Sequence, residues 1–441
     1  ASGIFRNSHG PGDKDTRSGA TGTDCKNGGA VASVRRSAVI ARRRYPATWR
    51  CSIIGALDTI VINGGATLSG TVATGGAKNA ALPLLFATLL ADGEYRFSNV
   101  PRLRDIDSTL LLLEHLGTRV DRSGDTLSVH AVECGHLDAP YDIVRKMRAS
   151  ILCLGPLLAR YGRAKVSLPG GCAIGTRPIN LHIEALQQMG AEIEIEHGYV
   201  IARAERLHGA CIVFENATVG GTENLMLAAT LAKGTTVLEN AAKEPEIVDL
   251  AECLVKMGAQ IDGAGSSVVT IEGVDQLRPC SHRVIPDRVE AGTLLIAGAI
   301  TGGDVRVNNC VPGHIDALTQ RMAECGFRID AGSDWLRVLP CDGWRAVDIS
   351  TAPYPGFPTD LQAQFMALMT KAGGTSVIRE TIFENRFMHV QELARLGADI
   401  SLDGDTATVK GVDVLHGAEV MATDLRASVS LVIAALVAEG E

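Results

Sequence analysis

The sequence predicts an α/β protein built from six copies of one unit of about 70 residues, and three observations carry that reading. Glycines recur at Gly93, Gly162, Gly234, Gly303, Gly374 and Gly440, at intervals of 69, 72, 69, 71 and 66 residues. Each of the first five is followed 23 to 28 residues later by a second glycine: Gly117, Gly190, Gly258, Gly326 and Gly397, in HLGT, QMGA, KMGA, ECGF and RLGA. Alternating apolar and polar residues follow the first set, as in LLADGEYRFSNV, LARYGRAKVSL, LAKGTTVLEN, ITGGDVRVNN and TKAGGTSVIRE. A glycine that stops a helix in the left-handed conformation, with a strand after it, accounts for both sets.

Each unit then reads as an apolar helix, a strand often followed by Asn, a second helix, and another strand. With 46% hydrophobic residues and only 9 Phe, 3 Trp and 6 Tyr, the core must be aliphatic, and 48 Gly imply many tight turns. No apolar run reaches the ~18 residues of a spanning helix, so no membrane partner is expected. The 11 cysteines are odd in number and contain no CxxC pair, which gives neither a disulfide framework nor a zinc site and suggests a reducing compartment. Nothing in the chain calls for a cofactor.

Residues 1–56 carry eight Arg and two Lys against three Asp, a net +7. They lack hydrophobic periodicity and are read as a segment outside the fold, either transit-peptide-like or an unrelated extension. The chain total of −8 leaves −15 on the rest. Such an acidic body gives no long-range attraction for nucleic acid, so an anionic ligand must be held by a few placed cations. Six full units starting near Asp58 would run past Glu441, so the sixth is expected to be truncated.

The starts of the first helices carry polar groups: Lys78 and Asn79, Arg148, Thr222 with Asn224, Asp287 with Arg288, Asp360, and Asp424 with Arg426. Converging helix N-termini bind phosphate well, although Asp287, Asp360 and Asp424 are equally explained as N-caps. A Lys or Arg there opposes the helix dipole unless an anion lies between. The Gly-rich segment LPGGCAIGTRPINLH (168–182) replaces the Asn-containing connection of other units. Its glycines leave Cys172 poorly buried and Arg177 lies five residues on, which suits a nucleophile or a general acid. In unit five, Pro355 and Pro358 stiffen the approach to Asp360, and Glu384, Asn385 and Arg386 fit a turn and an active site equally well.

Taken together, GGAKNAALP (75–83), APYDIVRKMRASI (139–151), LPGGCAIGTRPINLH, KEPEIVD (243–249), PDRVEAGT (286–293), FPTDLQAQF (357–365), ENRFMHV (384–390) and MATDLRAS (421–428) resemble the UDP-N-acetylglucosamine 1-carboxyvinyltransferase family of enolpyruvyl transferases over about residues 58–441. The resemblance implies an inverted, barrel-like α/β fold of two three-unit domains, 78–286 and 57–77 with 287–441, between which the chain crosses twice. It implies a cytoplasmic enzyme that moves enolpyruvate from phosphoenolpyruvate to the 3-hydroxyl of UDP-N-acetylglucosamine in cell-wall synthesis, with no metal.

By position, Cys172 resembles the acid that protonates the enol. Lys78 and Arg177, with Arg148 beside them, resemble the phosphoenolpyruvate cations. Asp360 resembles the carboxylate on the sugar hydroxyl, and Arg426 a residue at the helix start near the cysteine. Asn79, Arg177, Pro178, Ile179, Asn180, Leu181, Thr218, Val219, Gly220 and Ile382 match substrate contacts. Asn180 stands where the family commonly has Asp, and a further family arginine falls beyond Glu441. Transfer to shikimate 3-phosphate, or a non-catalytic relative, are the alternatives.

Overall fold

Strands that alternate in burial, such as Gly93–Ser98 with Tyr95 and Phe97 turned inward, turn one face to a core. The structure, a computed structural model, describes residues 40–43, 59–145, 147–168, 179–422 and 424–441. Among these residues five four-stranded sheets share one order. A leading strand lies parallel to the first strand of a unit, which is antiparallel to the last, which is antiparallel to the middle one. In unit one these are Ser281–Arg283, Gly93–Ser98, Thr126–Ala131 and Arg119–Ser123, with Ser281 opposite Arg96 and Glu94 opposite His130. A two-stranded sheet, Leu415–His416 with Ala438–Glu439, stands in unit six.

The recurrent asparagines have a backbone cause. Asn99, Asn240 and Asn309 end their strands at φ of 60°, 53° and 53°, a region Asn enters more readily than most side chains. Each then donates from Nδ2 to the carbonyl just past the neighbouring leading strand: Val284 at 2.8 Å, Phe214 at 2.9 Å and Thr74 at 2.7 Å. In unit five Glu380 replaces it and accepts from the Thr351 hydroxyl at 2.9 Å instead.

In chain order the helices are α1 (Lys78–Ala87), α2 (Arg104–His115), α3 (Tyr141–Val144), α4 (Leu154–Tyr161), α5 (Asn180–Gln188), α6 (Val219–Ala229), α7 (Pro245–Met257), α8 (Arg288–Ile300), α9 (Asp316–Cys325), α10 (Thr359–Met369), α11 (His389–Arg395) and α12 (Leu425–Ala435). The first helix of a unit is buried on every side: α6 is buried without a break from Gly221 to Ala229, and α10 from Leu361 to Met369. The second helix buries one stripe, as Ile106, Thr109, Leu112 and Leu113 do in α2. Inner helices thus form two cores walled by sheets. One core runs from Ala77 to Val284; the other runs from Val289 to Ala438 and is joined by Ile62, Leu68 and Val72.

The chain crosses between the cores twice. Strand Ser69–Ala73 pairs with Asp304–Asn308 of the second core before α1 enters the first, and Ser281–Arg283 pairs in the first before α8 enters the second. The two crossings bond to each other: the Ala77 N–H donates to Ile285 O at 2.7 Å and the Asp287 N–H to Gly75 O at 2.9 Å.

Two expectations need correction. Gly303 is not the left-handed residue of its unit; Gly302 is, at φ 63°. Gly303 is required because a Cβ there would meet Leu68 O at 1.9 Å. Nor is all of 1–56 outside the described fold, since Ile40–Arg43 pairs antiparallel with Thr59–Ile62, Ile40 opposite Ile62. The two strands form a separate two-stranded sheet.

Candidate active site

Because the crossings are paired over residues 75–77 and 285–287, the residues that follow them, Lys78 and Arg288, begin α1 and α8 at one place. The Lys78 ammonium donates to Asp105 Oδ2 of α2 at 2.9 Å. Asn79 beside it is exposed. Arg148 opens the 3-10 turn Arg148–Cys153 that precedes α4. His182, buried in the first turn of α5, is pushed down to about 4, by burial first and then by the Arg148 charge.

The starts of α5 and α6 lie side by side. Ile179 and Leu181 are half-buried and Asn180 is exposed at the entry to α5. Thr218 caps α6 by accepting the Gly221 N–H at 3.3 Å, and Val219 and Gly220 form its first turn. A Cβ on Gly220 would come within 3.8 Å of the His182 ring. Asn224, fully buried in α6, ties the group together. It donates to His182 Nδ1 at 2.9 Å and accepts the Gly155 N–H of α4 at 2.9 Å. Cys172, Arg177 and Pro178 lie outside the described residues.

In the second core the three aspartates at helix starts separate. Asp287 caps α8 by accepting from Val289 N at 2.9 Å and Glu290 N at 3.0 Å. Asp424 caps α12 by accepting from Arg426 N at 2.8 Å. Asp360 makes no such bond: Pro358 holds the cap position of α10. Its Oδ1 accepts from Arg386 Nη2 at 2.8 Å and its Oδ2 from Arg426 Nη2 at 2.9 Å. Burial works to raise the Asp360 pKa, but the charges of Arg426 and Arg386 outweigh it and hold the carboxyl well below the usual range. The side chain stays 26% exposed while Arg386 is 4% exposed, so an ionised carboxylate is fixed from behind and open in front.

Glu380, itself 3% exposed, shapes this corner. It accepts from Thr351 and Thr359 hydroxyls and from the N–H groups of Ile382 and Phe383, which sets the turn carrying Ile382 and places Thr359 at the start of α10. Arg288 bridges the cores: its Nε donates to Glu246 Oε1 of α7 at 3.0 Å and its guanidinium stacks over Tyr354 at 5.5 Å. Against burial, the Glu246 charge keeps the Arg288 pKa raised.

Sequence reasoning left Arg386 undecided and did not single out Glu246. The signal for Arg386 was the tripeptide Glu384, Asn385, Arg386 in a strand-to-helix turn. For Glu246 no spacing pattern pointed to it, because its partner is 42 residues away. Chemically, the arrangement offers an ionised carboxylate able to accept a hydrogen bond from a hydroxyl, with helix N-termini and cations able to face an anionic ligand.

Comparison with known proteins agrees in sequence and in fold. The family model described as EPSP synthase (3-phosphoshikimate 1-carboxyvinyltransferase) matches residues 62–441. The chain is 61% identical over 383 residues to the UDP-N-acetylglucosamine 1-carboxyvinyltransferase of Bdellovibrio bacteriovorus, covering 87% of this chain and 92% of that one. It is 57% identical, with the same coverage, to the protein of the same name from Geotalea uraniireducens. Among solved structures, the enolpyruvyl transferase NikO from Streptomyces tendae superposes with a TM-score of 0.77 at 26% identity, over 86% of this chain and 90% of that chain. EPSP synthase from Acinetobacter baumannii, at 18% identity and a TM-score of 0.66 over 86% and 91%, shares the fold. By sequence and by its two-core architecture, the chain belongs to the EPSP synthase family of carboxyvinyltransferases.

Proposed function

We propose that this chain transfers the enolpyruvyl group of phosphoenolpyruvate to the 3-hydroxyl of UDP-N-acetylglucosamine, releasing phosphate, as the opening reaction of peptidoglycan synthesis in the cytoplasm. The 61% identity to a relative of that name supports the acceptor. The observation that carries the chemistry is Asp360, kept ionised between Arg386 and Arg426 with an open front. Among the described residues no helix is long and apolar enough to cross a membrane.

In this reading Asp360 takes the hydrogen bond, and then the proton, of the sugar hydroxyl as its oxygen attacks C2 of phosphoenolpyruvate. Cys172 gives a proton to C3, and phosphate leaves in a second step that returns the C3 proton. Lys78, Arg148, Arg177 and Arg426 orient the phosphate and carboxylate and stabilise charge at C2. Asn79, Pro178, Ile179, Asn180, Leu181, Thr218, Val219, Gly220 and Ile382 line the sugar nucleotide. The domains 78–286 and 57–77 with 287–441 close on it, a division supported by the two separate apolar cores.

The test is phosphate release from phosphoenolpyruvate with each acceptor in turn. Release with UDP-N-acetylglucosamine and none with shikimate 3-phosphate supports the proposal, and the reverse pattern replaces it with the shikimate reading.

A further inference from the structure

One face of α7 grips the strand that carries the chain back to the second core. Glu246, Asp249 and Cys253 stand at helical spacing i, i+3 and i+7. They meet Arg288, His282 and Cys280 in reverse chain order, and Cys280 and His282 share a face at strand spacing. The Asp249–His282 contact is 2.8 Å with side chains 1% and 2% exposed. The Lys256 ammonium donates to His282 Nδ1 at 2.9 Å, which leaves Nε2–H to donate to Asp249. At the end of this row the Cys253 and Cys280 sulfurs lie 3.6 Å apart, with Cys280 Sγ 3.8 Å from Cys253 O. Both are free thiols, Cys253 buried and Cys280 half-buried.

We propose that Cys253 and Cys280 are a redox pair that closes to a disulfide under hydrogen peroxide and staples α7 to the returning strand. The sulfurs start near enough that a small shift reaches bonding distance, and only one of them is open to solvent. That sulfur is also the better nucleophile: the Cys253 hydrogen bond lowers the Cys280 pKa against burial, helped by the Lys256 charge, while Cys253 is raised. The Cys280 thiolate attacks one peroxide oxygen. An S–O bond forms, the O–O bond breaks, and the departing hydroxide takes a proton to become water. The Cys253 sulfur then attacks the resulting sulfenic sulfur. An S–S bond forms, the S–O bond breaks, and the hydroxide leaves with the Cys253 proton as a second water. Two thiols lose two electrons and one peroxide becomes two waters.

Tryptic mapping of the full chain tests this, since cleavage at Lys256 and resistance at Arg278–Pro279 put the thiols on peptides 244–256 and 257–283. After treatment with peroxide and alkylation of the remaining thiols, these two peptides are expected to be linked with loss of two hydrogens and freed by dithiothreitol. The link is expected to be absent from Cys280→Ser, whose half-exposed site tolerates the change, and from Cys253→Ser. A second readout is the melting temperature, expected to rise on oxidation, to fall back on reduction, and to be unmoved by peroxide in Cys280→Ser. Peptides 244–256 and 257–283 remaining unlinked while other cysteines oxidise would overturn the pair. A linked protein that melts no higher than the reduced one would overturn the staple.

Discussion

Arg386 and Arg426 reach the two oxygens of Asp360 from different elements, the turn after Glu380 and the start of α12, at 2.8 and 2.9 Å. The charges of both, Arg426 first, hold the carboxylate ionised against burial. Asp360→Asn keeps the shape and removes the charge, so kcat is expected to fall by roughly 1,000-fold, within the range for a lost general base. Steady-state phosphate release measures it; loss of less than about tenfold would remove Asp360 from the proton-accepting role. The same variant leaves the buried Arg386 without its anion, and urea unfolding is expected to show about 3 kcal/mol less stability.

Asn224 serves three groups in the first core: the Gly155 N–H, His182 Nδ1 and, at 3.5 Å, the Ile151 carbonyl. Asn224→Ala leaves the Gly155 N–H and His182 Nδ1 without this partner. An expected cost of about 2–3 kcal/mol follows from burying unpaired polar groups. Chemical denaturation reads it, and a cost near zero would mean that the helix starts of units two and three are positioned by packing alone.

Gly76 lies where the two crossings bridge. A Cβ there would meet Asn99 O at 1.7 Å and Asn99 C at 2.9 Å, and backbone cannot swing aside as a side chain can. Gly76→Ala is expected to destabilise by at least about 2 kcal/mol and to lower kcat more than a comparable change in an outer helix. Thermal melting and turnover, compared with an alanine exchange at exposed Glu252, provide the check.

His182 and His389 are buried and held neutral, pushed down to about 4 and about 3, in each case by burial first and then by a neighbouring arginine, Arg148 or Arg386. Their folded values lie below the ordinary ~6.5 of the unfolded chain. The stability they hold is therefore complete above pH ~6.5 and is lost as pH falls through the folded values. Each contributes a loss of about 3 kcal/mol between pH 6.5 and 4. In His389→Gln the fall in urea midpoint over that window is expected to be smaller than in the parent; an unchanged slope would show that His389 is already charged.

Cys172 is expected to be the thiol most reactive toward a phosphonate epoxide such as fosfomycin, with the label on peptide 168–182. Cys172→Asp keeps a proton donor and removes the soft nucleophile, so enolpyruvyl transfer is expected to persist while the epoxide no longer inactivates. Complete loss of turnover in that variant would show that sulfur itself is required.

Much of the architecture was legible because it repeats. Gly117, Gly190, Gly258, Gly326 and Gly397 all adopt positive φ, as a helix stop requires, and three of the strand-ending asparagines proved to be left-handed clamps. Within the site, the polar helix starts were legible as positions but not as partners. Asp287, Asp360 and Asp424 look alike in sequence, and only the geometry separates two caps from a carboxylate held by two arginines.

By itself the sequence determined the unit, its helix stops, its family and the residues that crowd the helix starts, since these depend on local backbone preference and short spacing. The tertiary structure decided the pairings. Arg426 meets Asp360 across 66 residues, Arg288 meets Glu246 across 42 and Ala77 meets Ile285 through the paired crossings. Such contacts depend on where the chain returns in space: a carboxylate between two guanidiniums stays charged against the cost of its burial for a reason no local pattern encodes.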